Sequence, residues 1–252
     1  MSKPLRVLAF MAHPDDAEIL CGGVLTRLKQ EANCSIAIAT ATSGDCGTME
    51  HRPDEIARIR HREAVAAASI LDADYYCAGC LDILIAYDAA TVRAFTEVVR
   101  KARPDIVFTH YPDDYMIDHE MTSRLVRTAC FGAPAPNLLT GAIDPAPRLP
   151  TIPHLYYADP VEFKDLLGRP IEPHFIVDIS RVIEVKERML ASHVSQREWL
   201  RAHHKMDHYI ETMKRAAAER GKRIGKAYGE GFCQHLGHGY PQDNIIVGLL
   251  KT

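Results

Sequence analysis

The chain has 252 residues, 47% of them apolar and 25% charged, with a formal net charge of −3. That length can bury a large core, and the composition is that of a folded globular protein rather than a disordered or fibrous one. The slight acidity offers no basic face for nucleic acid, and no apolar run reaches the roughly 18 residues of a membrane-spanning helix.

The run Val7-Leu8-Ala9-Phe10-Met11 predicts a buried parallel strand over 5–11. The preceding residues, Met1 to Arg6, show no signal-peptide core, so the cytoplasm is the expected location. Ile19, Leu20, Val24, Leu25 and Leu28 have helical spacing, which predicts one helix over 17–31. A second strand is expected at 34–42 and a helix at 53–71, with Pro53 suited to its first turn. A short strand near 74–77, a helix over 88–102, a strand over 106–109 and a helix over 119–131 follow. Residues 132–153 carry Pro134, Pro136, Pro145, Pro147, Pro150 and Pro153, which rule out a regular helix. A long connection of this kind is often functional. Strands near 154–158 and 174–178 and a helical region over 180–220, broken near Ser192 to Ser195, complete the pattern.

Strands alternating with helices imply right-handed crossovers and a covered parallel sheet. The expected class is α/β: a Rossmann-like, mostly parallel sheet with helices on both faces and a C-terminal helical and strand extension. We expect one domain, with a core at 1–131, a Pro-rich loop at 132–153 and the extension at 154–252. The seven cysteines read as reduced, packed thiols. Cys77 and Cys80 have C-x-x-C spacing but no second pair at zinc-ribbon distance. Gly22-Gly23 lacks the flanking pattern of a phosphate loop and reads as close helix packing. His203-His204 lies among charges and reads as a solvated face.

Ligands of such sheets bind at the carboxyl ends of strands. Three polar clusters fall there: His13-Pro14-Asp15-Asp16 after the first strand, Ser43-Gly44-Asp45-Cys46-Gly47 after the second, and His110 to His119 after the strand at 106–109. Two nitrogens and one oxygen with an open fourth position suit catalytic zinc, and His13, Asp16 and His119 can supply that set. Zinc lowers the pKa of a bound water, and Asp15 is then the carboxylate free to take its proton. The competing reading makes the turn a helix cap, with Asp16 at the N-cap position.

These residues resemble the LmbE/PIG-L family of zinc-dependent N-deacetylases, whose hallmark A-H-P-D-D-x-E is matched by Ala12 to Glu18. Arg60-His61-Arg62-Glu63 with Ala68-Ser69-Ile70-Leu71, the pair Asp118-His119, and His193-Val194-Ser195-Gln196 resemble three further family features. The resemblance implies His13, Asp16 and His119 as zinc ligands and Asp15 as general base. It implies Arg60 in the substrate pocket, Asp118 orienting a histidine or binding substrate, and Glu18 in support of the ligands; His110 is counted with the substrate-binding residues. It also implies an acetylated amino sugar as the small-molecule substrate and a homo-oligomer, a trimer or hexamer. One departure matters. Where many members carry a histidine that polarises the scissile carbonyl, this chain has Met116, and a thioether donates no hydrogen bond. His110, Tyr115, His235 and His238 are candidate replacements. The expectation falls on His235 or His238, reaching its own site or a neighbour's. An amidase or esterase on another acylated substrate, with the 132–153 loop setting the choice, is the alternative. A non-catalytic metal- and sugar-binding protein is the other.

Overall fold

The structure, a computed structural model, describes residues 4–204 and 209–251, without the side chains of 201–204. His203 and His204 therefore lie outside the described side chains.

Seven strands form one sheet in the order β3-β2-β1-β4-β5-β7-β6. β1 (Arg6–Met11), β2 (Ser35–Thr42), β3 (Asp74–Cys80), β4 (Ile106–His110) and β5 (His154–Ala158) are parallel. β7 (Gly229–Gln234) runs antiparallel to both β5 and β6 (Phe175–Asp178). Alternation along β1 builds two cores. Val7, Ala9 and Met11 pack on one face with α1 (Asp16–Leu20), α2 (Gly22–Glu31), α6 (Ile183–Ala191), α8 (Tyr209–Lys222) and α9 (Ile245–Leu250). Leu8 and Phe10 pack on the other with α4 (Ala89–Ala102) and α5 (Ile117–Gly132). α3 (Pro53–Ser69), with Pro53 in its first turn, and α7 (Val194–His204) meet beside the first face. Among the described residues no helix is long and apolar enough to cross a membrane.

Three differences from the sequence reading have physical causes. The helix expected over 17–31 is two helices broken at Cys21. The Gly23 and Val24 amides donate to the Glu230 carboxylate, at 2.8 and 2.7 Å. α2 thus starts afresh on an acidic group, which its dipole favours. Gly23 is also a packing glycine as expected, since a Cβ there would lie 2.7 Å from Ile179 Cγ2. Second, the stretch 229–234, where the sequence reading places no element of its own, is the fully buried strand β7. Third, the Pro-rich 132–153 segment does not line the main cavity. Arg100 of α4 pins it through hydrogen bonds to the carbonyls of Ala133, Ala135 and Leu138, at 2.9 to 3.0 Å. The loop therefore lies away from the cavity of its own chain. All seven cysteines are free.

Candidate active site

β1 ends at Met11, and the chain turns at Asp15 with φ 108°, a conformation unusual for a non-glycine residue. That turn aims two successive carboxylates in different directions. Asp15 occupies the N-cap position of α1 but makes no capping side-chain bond. Asp16 is the first residue of the helix, and its carboxylate faces three histidines rather than capping it.

His13 Nδ1 lies 3.3 Å from Asp16 Oδ2, and His119 Nε2 lies 3.6 Å from Asp16 Oδ1. One ligand atom from each of the three residues falls within 4.8 Å of the other two. The outward nitrogen of each histidine is held by a carboxylate. Asp118 Oδ2 is 3.0 Å from His13 Nε2, and Asp114 Oδ1 is 3.0 Å from His119 Nδ1. Histidine ligands are commonly fixed in this way, with the free nitrogen pointed at the metal. Two nitrogens and one oxygen converging on one point fit a divalent ion of the zinc type. Asp118 is thus a positioning residue for His13, and it is itself held by the Ile83 amide at 2.7 Å.

The electrostatics agree. Burial disfavours a charged His13, but Asp118 and Asp16 outweigh burial and raise its pKa to about 10. Burial likewise opposes ionisation of Asp16, yet His119, His110 and His13 hold its carboxyl well below the ordinary range. The cluster therefore favours a positive charge at its centre. Asp15 moves the opposite way. Its burial raises the carboxyl pKa, with Arg60 opposing. Adjacent carboxyls pushed apart in pKa are a common signature of divided roles.

Arg60 of α3 donates to the Pro14 carbonyl at 2.7 Å and lies 3.6 Å from Asp15 Oδ1. Gly44 makes room for it, since a Cβ there would meet the guanidinium at 2.2 Å. Glu63, one turn on, accepts from the Ser195 amide and hydroxyl at 2.9 and 2.6 Å. The separate motifs at 60–63 and 193–196 thus lock together. Tyr209 of α8 donates a short hydrogen bond to Asp15 Oδ2. His193 Nε2 lies 3.4 Å from Glu18 Oε1, behind the metal loop.

The trio opens onto a cavity of about 480 Å³ whose walls include Asp15, Arg60, Asp82, Tyr115, Met116 and Gln196. Arg60 Nε, Asp82 Oδ1 and Gln196 Oε1 are buried without a hydrogen-bond partner.

Several expected residues lie elsewhere. His110 does not line the cavity. It is 0% exposed, and its Nε2 accepts from the Ala12 amide at 2.8 Å, so it props the β1 end rather than touching substrate. His235 Nδ1 is bonded to the Tyr157 hydroxyl at 2.9 Å, and His238 is exposed. Neither lines the cavity of its own chain, because β7 carries them past the sheet onto the opposite core. Asp114 and Tyr209 were not singled out as site residues by the sequence. Asp114 stood inside the noticed 110–119 cluster, five residues from its partner, at no spacing that marks a pair.

The family model described as PIG-L, GlcNAc-PI de-N-acetylase, matches residues 8–130. The diacetylchitobiose deacetylase of Thermococcus kodakarensis is 28% identical over 203 residues, 76% of this chain and 70% of that protein. Among solved structures, GalB of Pseudomonas putida KT2440, a 4-carboxy-2-hydroxymuconate hydratase, superposes with a TM-score of 0.76 at 22% identity, covering 95% of this chain and 99% of GalB. The N,N'-diacetylchitobiose deacetylase of Pyrococcus horikoshii superposes at 0.74 with 24% identity, covering 95% and 88%.

Proposed function

As a member of the PIG-L (LmbE-like) family through residues 8–130, this chain is, we propose, a zinc-dependent hydrolase that removes an N-acyl group, acetyl in the simplest case, from an amino sugar or its conjugate. The observation that carries this reading is the pairing of a three-residue metal cradle with Asp15, a neighbouring carboxylate outside it. The fold alone does not select the reaction, since one neighbour is a hydratase.

His13, Asp16 and His119 would hold the ion, which when bound supplies Lewis acidity toward an amide carbonyl and acidifies a water. Asp15 takes the proton of the attacking water and returns it to the departing amine. Tyr209 and Arg60 hold its carboxylate in place for both transfers. The oxyanion that develops on the carbonyl needs a donor, and with His110, His235 and His238 outside the cavity the candidate is Tyr115. Its ring packs edge-on to His119 and lines the cavity, and a tyrosine hydroxyl is protonated at neutral pH. Tyr115→Phe should lower kcat by roughly 100-fold with little change in KM, the usual cost of one oxyanion donor. An unchanged kcat removes Tyr115 from that role. The unpartnered atoms of Arg60, Asp82 and Gln196 suit the hydroxyls of a sugar, which would complete their hydrogen bonds.

The reading is tested by acetate release from N-acetylglucosamine and its conjugates. Chelation should abolish release and zinc should restore it; release that survives chelation overturns the metal-dependent mechanism. Asp114→Ala should weaken zinc affinity by roughly 10- to 100-fold, since His119 loses the group that orients it. Competition with a zinc indicator dye measures this directly.

A further inference from the structure

The cavity is much larger than an acetyl group needs, and its long arm is apolar. Tyr209, Met213, Ala217 and Arg220 repeat at helical spacing on one buried face of α8, and all four line the cavity. Tyr209 bonds Asp15, so this face begins at the reacting carboxylate. From residue 209 to 220 an α-helix rises about 16 Å. Leu20, Val161 and Leu200 line the same cavity from other segments of the chain.

The far end is closed by the ion pair of Arg220 and Asp159. Arg220 Nε donates to Asp159 at 2.7 Å, its second nitrogen reaches the Ile171 carbonyl at 3.1 Å, and the guanidinium covers the Phe163 ring at 3.9 Å. Nearer Asp15, in the wall beside α1, Lys186 Nζ meets Glu230 Oε1 at 2.5 Å and the Ile19 carbonyl at 2.8 Å, and the Ile19 amide in turn donates to the Asp15 carbonyl at 3.0 Å. Among the described residues that line the cavity, buried polar atoms without partners lie on Arg60, Asp82, Asp118 and Gln196, and on Asp159 at the closed end.

An amide substrate has two halves, one on each side of the scissile bond. Resting on the hydrolase reading above, we propose that the acyl half is an aliphatic chain of medium length that lies along the apolar face of α8. The hydroxylated amine half then meets Arg60, Asp82 and Gln196. An acetyl group would leave the arm unfilled, and the transfer of methylenes from water into it would go unused. The Arg220–Asp159 pair at the closed end sets the upper limit on chain length.

The test uses the full-length, zinc-loaded protein and glucosamine carrying N-acetyl, N-butanoyl, N-octanoyl or N-hexadecanoyl groups, together with the octyl glycoside of N-acetylglucosamine. Burial is worth up to about fourfold per methylene, so kcat/KM for the octanoyl amide should exceed that for the acetyl amide by about a hundredfold or more. The hexadecanoyl amide should fall back. Ala216→Phe, which fills the arm, should cut the octanoyl-to-acetyl ratio by roughly tenfold or more. Met213→Ala, which widens it, should move the optimum to longer chains, so the two variants shift selectivity in opposite senses. Acetyl release with no gain from longer acyl chains overturns the inference and leaves the hydrolase reading intact. A gain confined to the octyl glycoside also overturns it, because the arm would then hold the amine half. If no N-acylglucosamine is cleaved, the hydrolase reading fails and calorimetry decides the arm. Octanoate binding at least tenfold tighter than acetate, and weakened by Ala216→Phe, supports it; equal affinities overturn it.

Discussion

Asp15→Asn lowers kcat by two to four orders of magnitude while the protein keeps its full complement of zinc. The size follows from the usual contribution of a positioned general base. The retention of metal follows from geometry, since the cradle is His13, Asp16 and His119 and does not include Asp15. An asparagine side chain is close in shape and can still accept from Tyr209, so the turn survives. Metal content by elemental analysis and rates on the same preparation separate the two claims. Loss of zinc together with activity would make Asp15 a ligand, and full activity would remove it from the mechanism. The pH profile carries the same information. With Asp15 as the proposed base its carboxylate must be ionised, and burial raises its pKa, so the acid limb of kcat/KM should lie above the ordinary aspartate value of about 3.9. That limb should be absent from the residual activity of Asp15→Asn.

Lys186→Met destabilises the fold by about 3–5 kcal/mol, the usual cost of breaking a buried ion pair and leaving one charge behind. Lys186 and Glu230 are 1% and 4% exposed, so water cannot take over the solvation of the stranded carboxylate. Glu230 also holds the first amides of α2, and Lys186 holds the Ile19 carbonyl of α1. The damage therefore spreads to the two helices behind the metal loop. For a chain of this size Tm should fall by on the order of 10 °C. Urea unfolding should show a lower midpoint at unchanged slope. A shift below about 1 kcal/mol would mean that Glu230 finds another partner, and the pair would then matter less than its burial suggests.

Much of the fold and the centre of the site were legible in the sequence for local reasons. The apolar run at 7–11 could only be a covered strand. The His13 to Asp16 turn stood at its end with the ligand types in view. His119 was readable because it stood in a second polar cluster at another strand end. What escaped depends on contacts distant in sequence. Tyr209 reaches Asp15 across 194 positions, which no periodicity reveals. β7 reads Gly-Glu-Gly-Phe-Cys-Gln, a poor strand by composition. Its glycines are steric requirements: a Cβ on Gly231 would lie 1.9 Å from Asp159 Oδ2, and one on Gly229 would lie 2.8 Å from Ile176 Cγ2. The histidines at 235 and 238 looked available because β7 was not recognised as the strand that carries them away. The long Pro-rich loop drew attention by composition, yet Arg100 fastens it far from the chemistry.

The position of β7 also sets an order of events during synthesis. It is the last strand to leave the ribosome, yet it lies between β5 and β6. At about 5–20 residues per second, β6 emerges seconds before the strand that joins it to the sheet. Until then the amides of Gly23 and Val24 lack the carboxylate that receives them, 206 to 207 positions later. Closing the sheet and seating the helices behind the metal loop are thus one late, long-range step, which favours slow and all-or-none acquisition of a working centre. A nascent chain stalled before Glu230 would hold His13, Asp16 and His119 and still lack a finished scaffold to aim them.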